Sequence, residues 1–260
     1  MSLSSNVLRV AREEGTSSLA KKSIIYTFER IMNIQLIGYI RVILCKRKLK
    51  KCFSKIRGID DALEFVFAFK FLGISIKPAQ VKEEITQLLK LLAKLQPKIV
   101  CEIGTAGGGT LFLFSRVSSP SSTIISIDLP GGPFGGGYPE WKIPFYKSFI
   151  KRGQRLYLIR ADSHDTKTLE KVKRALGDKK IDFLFIDGDH TYEGVKKDFE
   201  MYSPLVRKRG IMAFHDICPH PPQTGCEVDM FWREIKDKYE HIEIVRDWKQ
   251  GWAGIGVLHV

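Results

Sequence analysis

The chain has 260 residues, 44% hydrophobic and 27% charged, which suits one α/β domain with an N-terminal extension and excludes a disordered or fibrous chain. Its formal charge of +13 is uneven: residues 1–60 hold 13 basic against four acidic side chains, leaving 29 against 25 elsewhere, so the basic character belongs to the extension. Five cysteines, Cys45, Cys52, Cys101, Cys218 and Cys226, contain no CxxC pair; this argues against a disulfide framework or a zinc ribbon, and a reducing, cytoplasmic setting is the expectation.

The opening MSLSSNVLRVAREEG lacks a basic stretch followed by an apolar run, so no signal peptide is expected. Residues 23–45, SIIYTFERIMNIQLIGYIRVILC, are apolar but interrupted by Glu29, Arg30 and Arg41, which argues against a spanning helix. A helix packed on the domain is the plain reading. Because KRKLKK (46–51) follows directly, a basic amphipathic helix on an anionic membrane, a peripheral contact through residues 23–51, is the alternative. The same apolar face would suit a second copy of the chain, so a homo-oligomer is also open. Nucleic acid rests on charge alone and is not expected as a partner. These patterns divide the chain into a basic helical extension, residues 1–78, and an α/β domain, residues 79–260.

From residue 80 the pattern becomes regular. Val81, Ile85, Leu88, Leu92 and Leu95 mark one face of a helix. Short β-branched or aromatic runs follow: KIVCEIG (98–104), STIISIDL (122–129), RLYLIRAD (155–162), IDFLFIDGD (181–189) and GIMAFHD (210–216). Helical patterns lie between most of them, one at 166–176 and one faced by Tyr192, Val195, Phe199 and Tyr202. Runs apolar on both faces that alternate with helices predict a parallel sheet covered on both sides. A last helix carries Val228, Phe231, Trp232, Ile235 and Tyr239, and the runs 241–247 and 254–260 after it are close enough to form a hairpin. That places an antiparallel strand at the end of the sheet.

The turn after the first of these strands, GTAGGGT, is glycine-rich. A dinucleotide fingerprint would accept Gly104 and Gly109, but Ala106 fills its middle place; a phosphate-cradling loop would need lysine after Gly109, where Thr110 stands. A purely structural strand-to-helix turn is the alternative. The acids nearby weigh against it. Glu102 lies on the first strand, Asp128 ends the second, ADSHD with Asp162 and Ser163 ends the third, IDGDH the fourth and FHD the fifth. Five consecutive strands thus bring acids to one rim, the edge at which parallel sheets bind ligands. At Asp128 a carboxylate can accept both hydrogen bonds of a ribose diol. The loop LPGGPFGGGYPEW (129–141) carries Phe134, Tyr138 and Trp141 and reads either as a surface turn or as an aromatic lid suited to sugars or planar aglycones.

Together, VCEIGTAGGGT, ISIDL, ADSHD, DFLFIDGDHTYEGVKKDF and GIMAFHDI resemble the class I S-adenosylmethionine-dependent methyltransferases. Within these the likeness is to the family-24 methyltransferases, grouped with the cephalosporin-hydroxylase-like proteins and related to metal-dependent O-methyltransferases. The resemblance runs from about residue 80 to the C-terminus and implies a Rossmann-like α/β fold: a mostly parallel seven-stranded sheet with an antiparallel C-terminal strand and helices on both faces. It implies that Glu102 and Gly104 lie beside the methionine part of S-adenosylmethionine, with Gly108 allowing close backbone approach. Asp128 would bind the ribose hydroxyls, Asp162 and Ser163 would flank the adenine, and Asp187 would complete the cofactor set. A glycine loop beside a carboxylate suits a sulfonium amino acid better than a pyrophosphate.

In metal-dependent relatives the ligands map to Asp187, His215 and Asp216. His215 stands where those relatives have an acid, which favours manganese, iron or zinc over magnesium, or else a metal-free site with His215 or His190 as general base. Cys218, His220 and Cys226 offer a rival zinc cluster, against which their irregular spacing and the intervening prolines weigh. The implied reaction is methyl transfer to a hydroxyl of a saccharide or small natural product. The alternatives are a hydroxylase-like member of the same group, or a catalytically silent nucleoside-binding protein acting through its basic extension.

Overall fold

The computed structural model describes residues 35–260 except 54, 133 and 135. Helix α1 (Gln35–Phe53) runs straight through the KRKLKK segment rather than ending before it. The reason is local: lysine, arginine and leucine are good helix formers, and the run keeps the stripe begun by Val42 and Cys45 by burying Leu49. On its other side Tyr39, Ile40, Ile43 and Leu44 are exposed. The part of the predicted 23–45 helix that precedes residue 35 lies outside the described residues. No helix among the described residues is long and apolar enough to cross a membrane.

Helix α2 (Ile59–Ala68), the short hairpin β1 (Lys70–Phe71) and β2 (Ile74–Ser75), and α3 (Lys82–Leu95) follow. Val42, Leu49, Leu63, Ile76 and Leu88 share one apolar cluster with Phe112 of α4 (Gly109–Val117) and with Val100, Ile124 and Phe185 on one face of the main sheet.

That sheet has seven strands in the order β5-β4-β3-β6-β7-β9-β8. Strands β3 (Ile99–Ile103), β4 (Thr123–Asp128), β5 (Arg155–Arg160), β6 (Ile181–Ile186) and β7 (Val206–His215) are parallel. The predicted hairpin forms between β8 (Glu240–Ile244) and β9 (Ile255–His259), and β9 enters antiparallel to β7. Helices α6 (Thr166–Leu176), α7 (Tyr192–Tyr202) and α8 (Val228–Ile235) supply Val172, Val195 and Trp232 to a second cluster on the opposite face, with Cys101, Leu184 and Met212. Between α4 and β5 the chain makes one short helix, α5 (Ile143–Tyr146).

The chain builds β3, β4 and β5 in one direction, then returns to the other side of β3 for β6 and β7. At such a reversal the loops leaving the carboxyl ends diverge and open a crevice. Here the loops start tightly tied: Gly104 N–H donates to Ile127 O (2.8 Å) and Asp187 N–H to Ile103 O (2.9 Å). Gly104 has φ +99°, and a Cβ there would sit 1.9 Å from Asp187 O. Glycine is therefore required by both backbone conformation and the approach of the β6 loop.

Candidate active site

The crevice holds a cavity of about 370 Å³. Gly104, Asp128, Asp162 and Ser163 stand on the wall of one half; Asp187, His190, His215 and Asp216 stand on the other. Two predicted residues are elsewhere.

Glu102, expected beside the methionine portion of the cofactor, is completely buried beneath the glycine loop and is not on the cavity wall. Its Oε1 accepts from Ser126 Oγ (2.7 Å), while Oε2 has no partner. Burial pushes its carboxyl up to about 8, because an ionised oxygen without donors is costly in a low-dielectric interior. Gly108 is likewise occupied by the protein's own packing. Its φ is +82° at the start of α4, and a Cβ would meet the Tyr146 ring at 2.8 Å and Phe149 at 3.1 Å. Its missing side chain makes room for aromatic rings, not for a ligand.

Asp128 ends β4 nearly buried. Its Oδ2 accepts from Ala106 N–H (2.7 Å) in the glycine loop, and its Oδ1 from Gly137 N–H (2.8 Å) in the 129–141 loop. Burial raises its pKa and these amide donors offset part of the rise. One carboxylate thus pins two loops while facing the cavity. Asp162 accepts from His164 N–H (2.8 Å), and Ser163 O accepts from the buried Tyr202 hydroxyl (2.8 Å). Sequence reasoning missed the pairing behind them: His164 Nε2 lies 3.3 Å from Asp198 Oδ1, and Asp198 is completely buried. The signal was present, since ADSHD placed His164 at the rim, but its partner comes from the inner face of α7.

In the other half the acids meet imidazoles. His215 is buried at the end of β7, with Nδ1 3.1 Å from Asp187 Oδ1 and 3.3 Å from Asp216 Oδ2. His190 Nδ1 lies 2.9 Å from Asp216 Oδ2, and His220 Nε2 lies 3.2 Å from Asp216 Oδ1. Ala253 N–H donates to that Oδ1 (2.9 Å), and Gln80 Nε2 donates to Asp187 Oδ2 (2.7 Å). No pattern in the sequence pointed to Gln80, which arrives from the segment before α3. Burial disfavours a cationic His215, yet Asp187 and Asp216 hold it well above the ordinary imidazole range. His190, against the same penalty, is pushed up to about 10, chiefly by Asp216. Burial would raise Asp216, but His215 and its other imidazole neighbours hold it well below the carboxylate range.

The ligating atoms of Asp187, His215 and Asp216 lie within 4.8 Å of one another, and His215 Nε2 is buried with no partner. One nitrogen and two carboxylates fit a divalent transition ion better than magnesium. The rival trio of Cys218, His220 and Cys226 does not form. Cys218 N–H pairs with Ala253 O (2.9 Å), and its sulfur is buried against Gly254 and Gln250. Cys226 instead meets His190 and His220, which lower its thiol to about 7 although burial works in the other direction.

The 129–141 loop divides its aromatics. Tyr138 and Trp141 are buried, Tyr138 edge-on to Tyr146 at 4.7 Å and Trp141 against Gly38 of α1. They anchor the loop and are unavailable to a substrate. Phe134 alone reaches the cavity, stacked on His190 at 4.9 Å.

An α/β sheet ending in an antiparallel β7–β9–β8 arrangement, with a glycine turn after β3 and an acid at the end of β4, defines the class I methyltransferase fold. Residues 101–217 match the family Methyltransf_24, described as a methyltransferase domain. The chain is 27% identical over 149 residues to an uncharacterised protein of Sinorhizobium fredii, covering 56% of this chain and 16% of that one. It is 33% identical over 118 residues to an uncharacterised protein of Acanthamoeba polyphaga mimivirus, covering 44% and 49%. The chain therefore spans less than half the length of these relatives. An O-methyltransferase of Bacillus cereus, solved in complex with SAH, shares the fold at a TM-score of 0.51 and 17% identity, over 78% of this chain and 90% of that one.

Proposed function

We propose that the chain is an S-adenosylmethionine-dependent O-methyltransferase acting on a hydroxyl of a saccharide or small natural product. The observation that carries this reading is a single cavity with two unlike halves, a backbone-rich half at Gly104, Asp128 and Ser163 and an acid–imidazole half at Asp187, His190 and Asp216. The first suits a nucleoside with a cationic amino-acid tail: Asp128 faces the ribose position, and Gly104 lines the wall beside the tail. The second suits an acceptor whose hydroxyl must lose a proton. The acceptor oxygen then attacks the methyl carbon, the carbon–sulfur bond breaks, and S-adenosylhomocysteine and a methyl ether leave.

A divalent ion held by Asp187, His215 and Asp216 would lower the acceptor hydroxyl's pKa. The protein's own part is to aim those groups. Gln80 and the Ala253 amide fix one oxygen of each aspartate. Without an ion, Asp187 and Asp216 favour the protonated form of the buried His215 ring; an ion would take the place of that proton. His190 is 21% exposed on the cavity wall and is the imidazole placed to handle the acceptor's proton. It becomes a base only when Asp216 is engaged elsewhere. Phe134 and the half-exposed Trp252, both on the wall, offer apolar faces to a sugar or planar ring.

Calorimetric titration with S-adenosylmethionine, with and without manganese and beside NADH, tests the reading. Saturable binding of the first and none of NADH is expected. Asp187→Ala should keep cofactor binding and lose methyl transfer to hydroxylated acceptors, followed by mass spectrometry. No binding of S-adenosylmethionine under any condition would overturn the proposal.

A further inference from the structure

Cys226 is a donor at the acceptor end that methyl transfer leaves unused. In sequence it sits ten residues beyond Asp216, in PPQTGCEV, with no metal-type spacing. The fold places it. Glu227 N–H donates to His190 O (2.8 Å), and Tyr192 N–H donates to Glu227 Oε2 (3.0 Å). These bonds staple the loop after β7 onto the loop after β6. As a result the ligating atoms of His190, Asp216 and Cys226 lie within 4.8 Å of one another.

His220 joins from the same loop. Its Nε2 lies 3.2 Å from Asp216 Oδ1, and it is within hydrogen-bonding reach of the Cys226 thiol. Its Nδ1 lies 2.8 Å from Cys218 O. A carbonyl can only accept, so Nδ1 carries the hydrogen, and in the neutral ring Nε2 turns its lone pair toward the carboxylate and the sulfur. That backbone-anchored tautomer is the arrangement by which histidine ligands are oriented toward an ion.

We propose that His190, Asp216 and Cys226, with His220 as fourth donor, bind a thiophilic divalent ion of the zinc type. The set shares only Asp216 with the oxygen-rich group of Asp187 and His215. Zinc bonds of about 2.0–2.3 Å put tetrahedral donors roughly 3.3–3.8 Å apart. The 2.9 Å contact of His190 to Asp216 and the 4.8 Å outer limit among His190, Asp216 and Cys226 bracket that spacing for three donors, and His220, 3.2 Å from Asp216 Oδ1, completes the shell by a side-chain adjustment. Sulfur and two imidazoles select zinc, cobalt or iron over magnesium. The thiol proton leaves on binding. None of this depends on S-adenosylmethionine, and while the ion is bound His190 is its ligand and does not take the acceptor's proton.

The test is titration of the chelator-treated full chain with cobalt(II) under anaerobic conditions, read by absorption. We expect one cobalt per chain, a thiolate-to-cobalt charge-transfer band, intense tetrahedral visible bands, and displacement of both by zinc. Cys226→Ser should abolish the charge-transfer band, whereas Asp187→Ala and Cys52→Ser keep it. His220→Asn, a second variant in case the first does not fold, should weaken cobalt binding at least about tenfold. Absence of a thiolate band in the wild type, or a band indifferent to both Cys226→Ser and His220→Asn, would overturn the site. Cobalt bound without the band and lost in Asp187→Ala would assign the ion to the oxygen-rich group instead, also overturning it.

Discussion

At one end of the cavity Asp128 gives its oxygens to the main-chain amides of Ala106 and Gly137. At the other, Asp216 gives its oxygens to His190, His220 and the Ala253 amide. Amide donors carry no net charge and cannot leave, so the first arrangement is permanent and fixes two loops. Imidazolium partners can lose their protons, so the second can exchange a proton for another cation. Glu102 has neither kind of support at Oε2 and is driven toward its neutral form. Three buried acids in one sheet edge thus reach three different states, set by their donors and not by residue type.

The largest way to break this contrast is at Glu102. Its folded pKa, about 8, lies above the ordinary glutamate value of 4.5, so the folded state holds a proton that the unfolded chain releases between these values. Its contribution is fully present below pH 4.5 and is lost as pH rises toward 8. The slope is about 1.4 kcal/mol per pH unit, on the order of 5 kcal/mol across the window. Denaturant unfolding of wild type and Glu102→Gln at several pH values should give a difference curve of that sign; parallel curves would show that Glu102 is ionised.

Asp128→Ala comes next. It leaves two loop amides without their acceptor, and we expect a loss of about 2–3 kcal/mol, a roughly 100-fold weaker S-adenosylmethionine affinity by calorimetry. An unchanged affinity would mean that the two loops hold their shape without it. At the other end, Asp216→Asn removes the charge that most raises His190. The His190 ring should then titrate well below about 10, followed through its carbon-bound protons by NMR in ion-free protein; no movement would assign the shift to Cys226 and Asp187. The smallest effect is expected from Phe134→Ala, which removes the ring stacked on His190. A loss of about 0.5–1.5 kcal/mol, seen in acceptor KM and not in cofactor affinity, would fit an aromatic contact confined to the acceptor side.

Much of the frame was legible in the chain. The strand runs, the final hairpin and the rim acids follow from alternation and run length, which are local properties. Asp187, His215 and Asp216 were named from the resemblance, and the fold brings their ligating atoms together. Glu102 and Gly108 were misplaced because one motif serves two purposes here. Alternate residues of a strand face opposite sides, and a glycine near a ligand site can be required by packing alone. Tyr138 and Trp141 looked like lid residues because composition alone does not distinguish an aromatic anchored in the core from one on a flap.

The sequence by itself determined the sheet, its parallel sense, its antiparallel ending and the edge at which acids collect, because each depends on residues close together in the chain. Only the tertiary structure decided which donors meet: Gln80 at Asp187, Asp198 behind His164, and Cys226 rather than Cys218 beside His190. Those meetings depend on loop-to-loop hydrogen bonds such as Glu227 to His190 and Cys218 to Ala253, whose partners are far apart in sequence and leave no periodic trace.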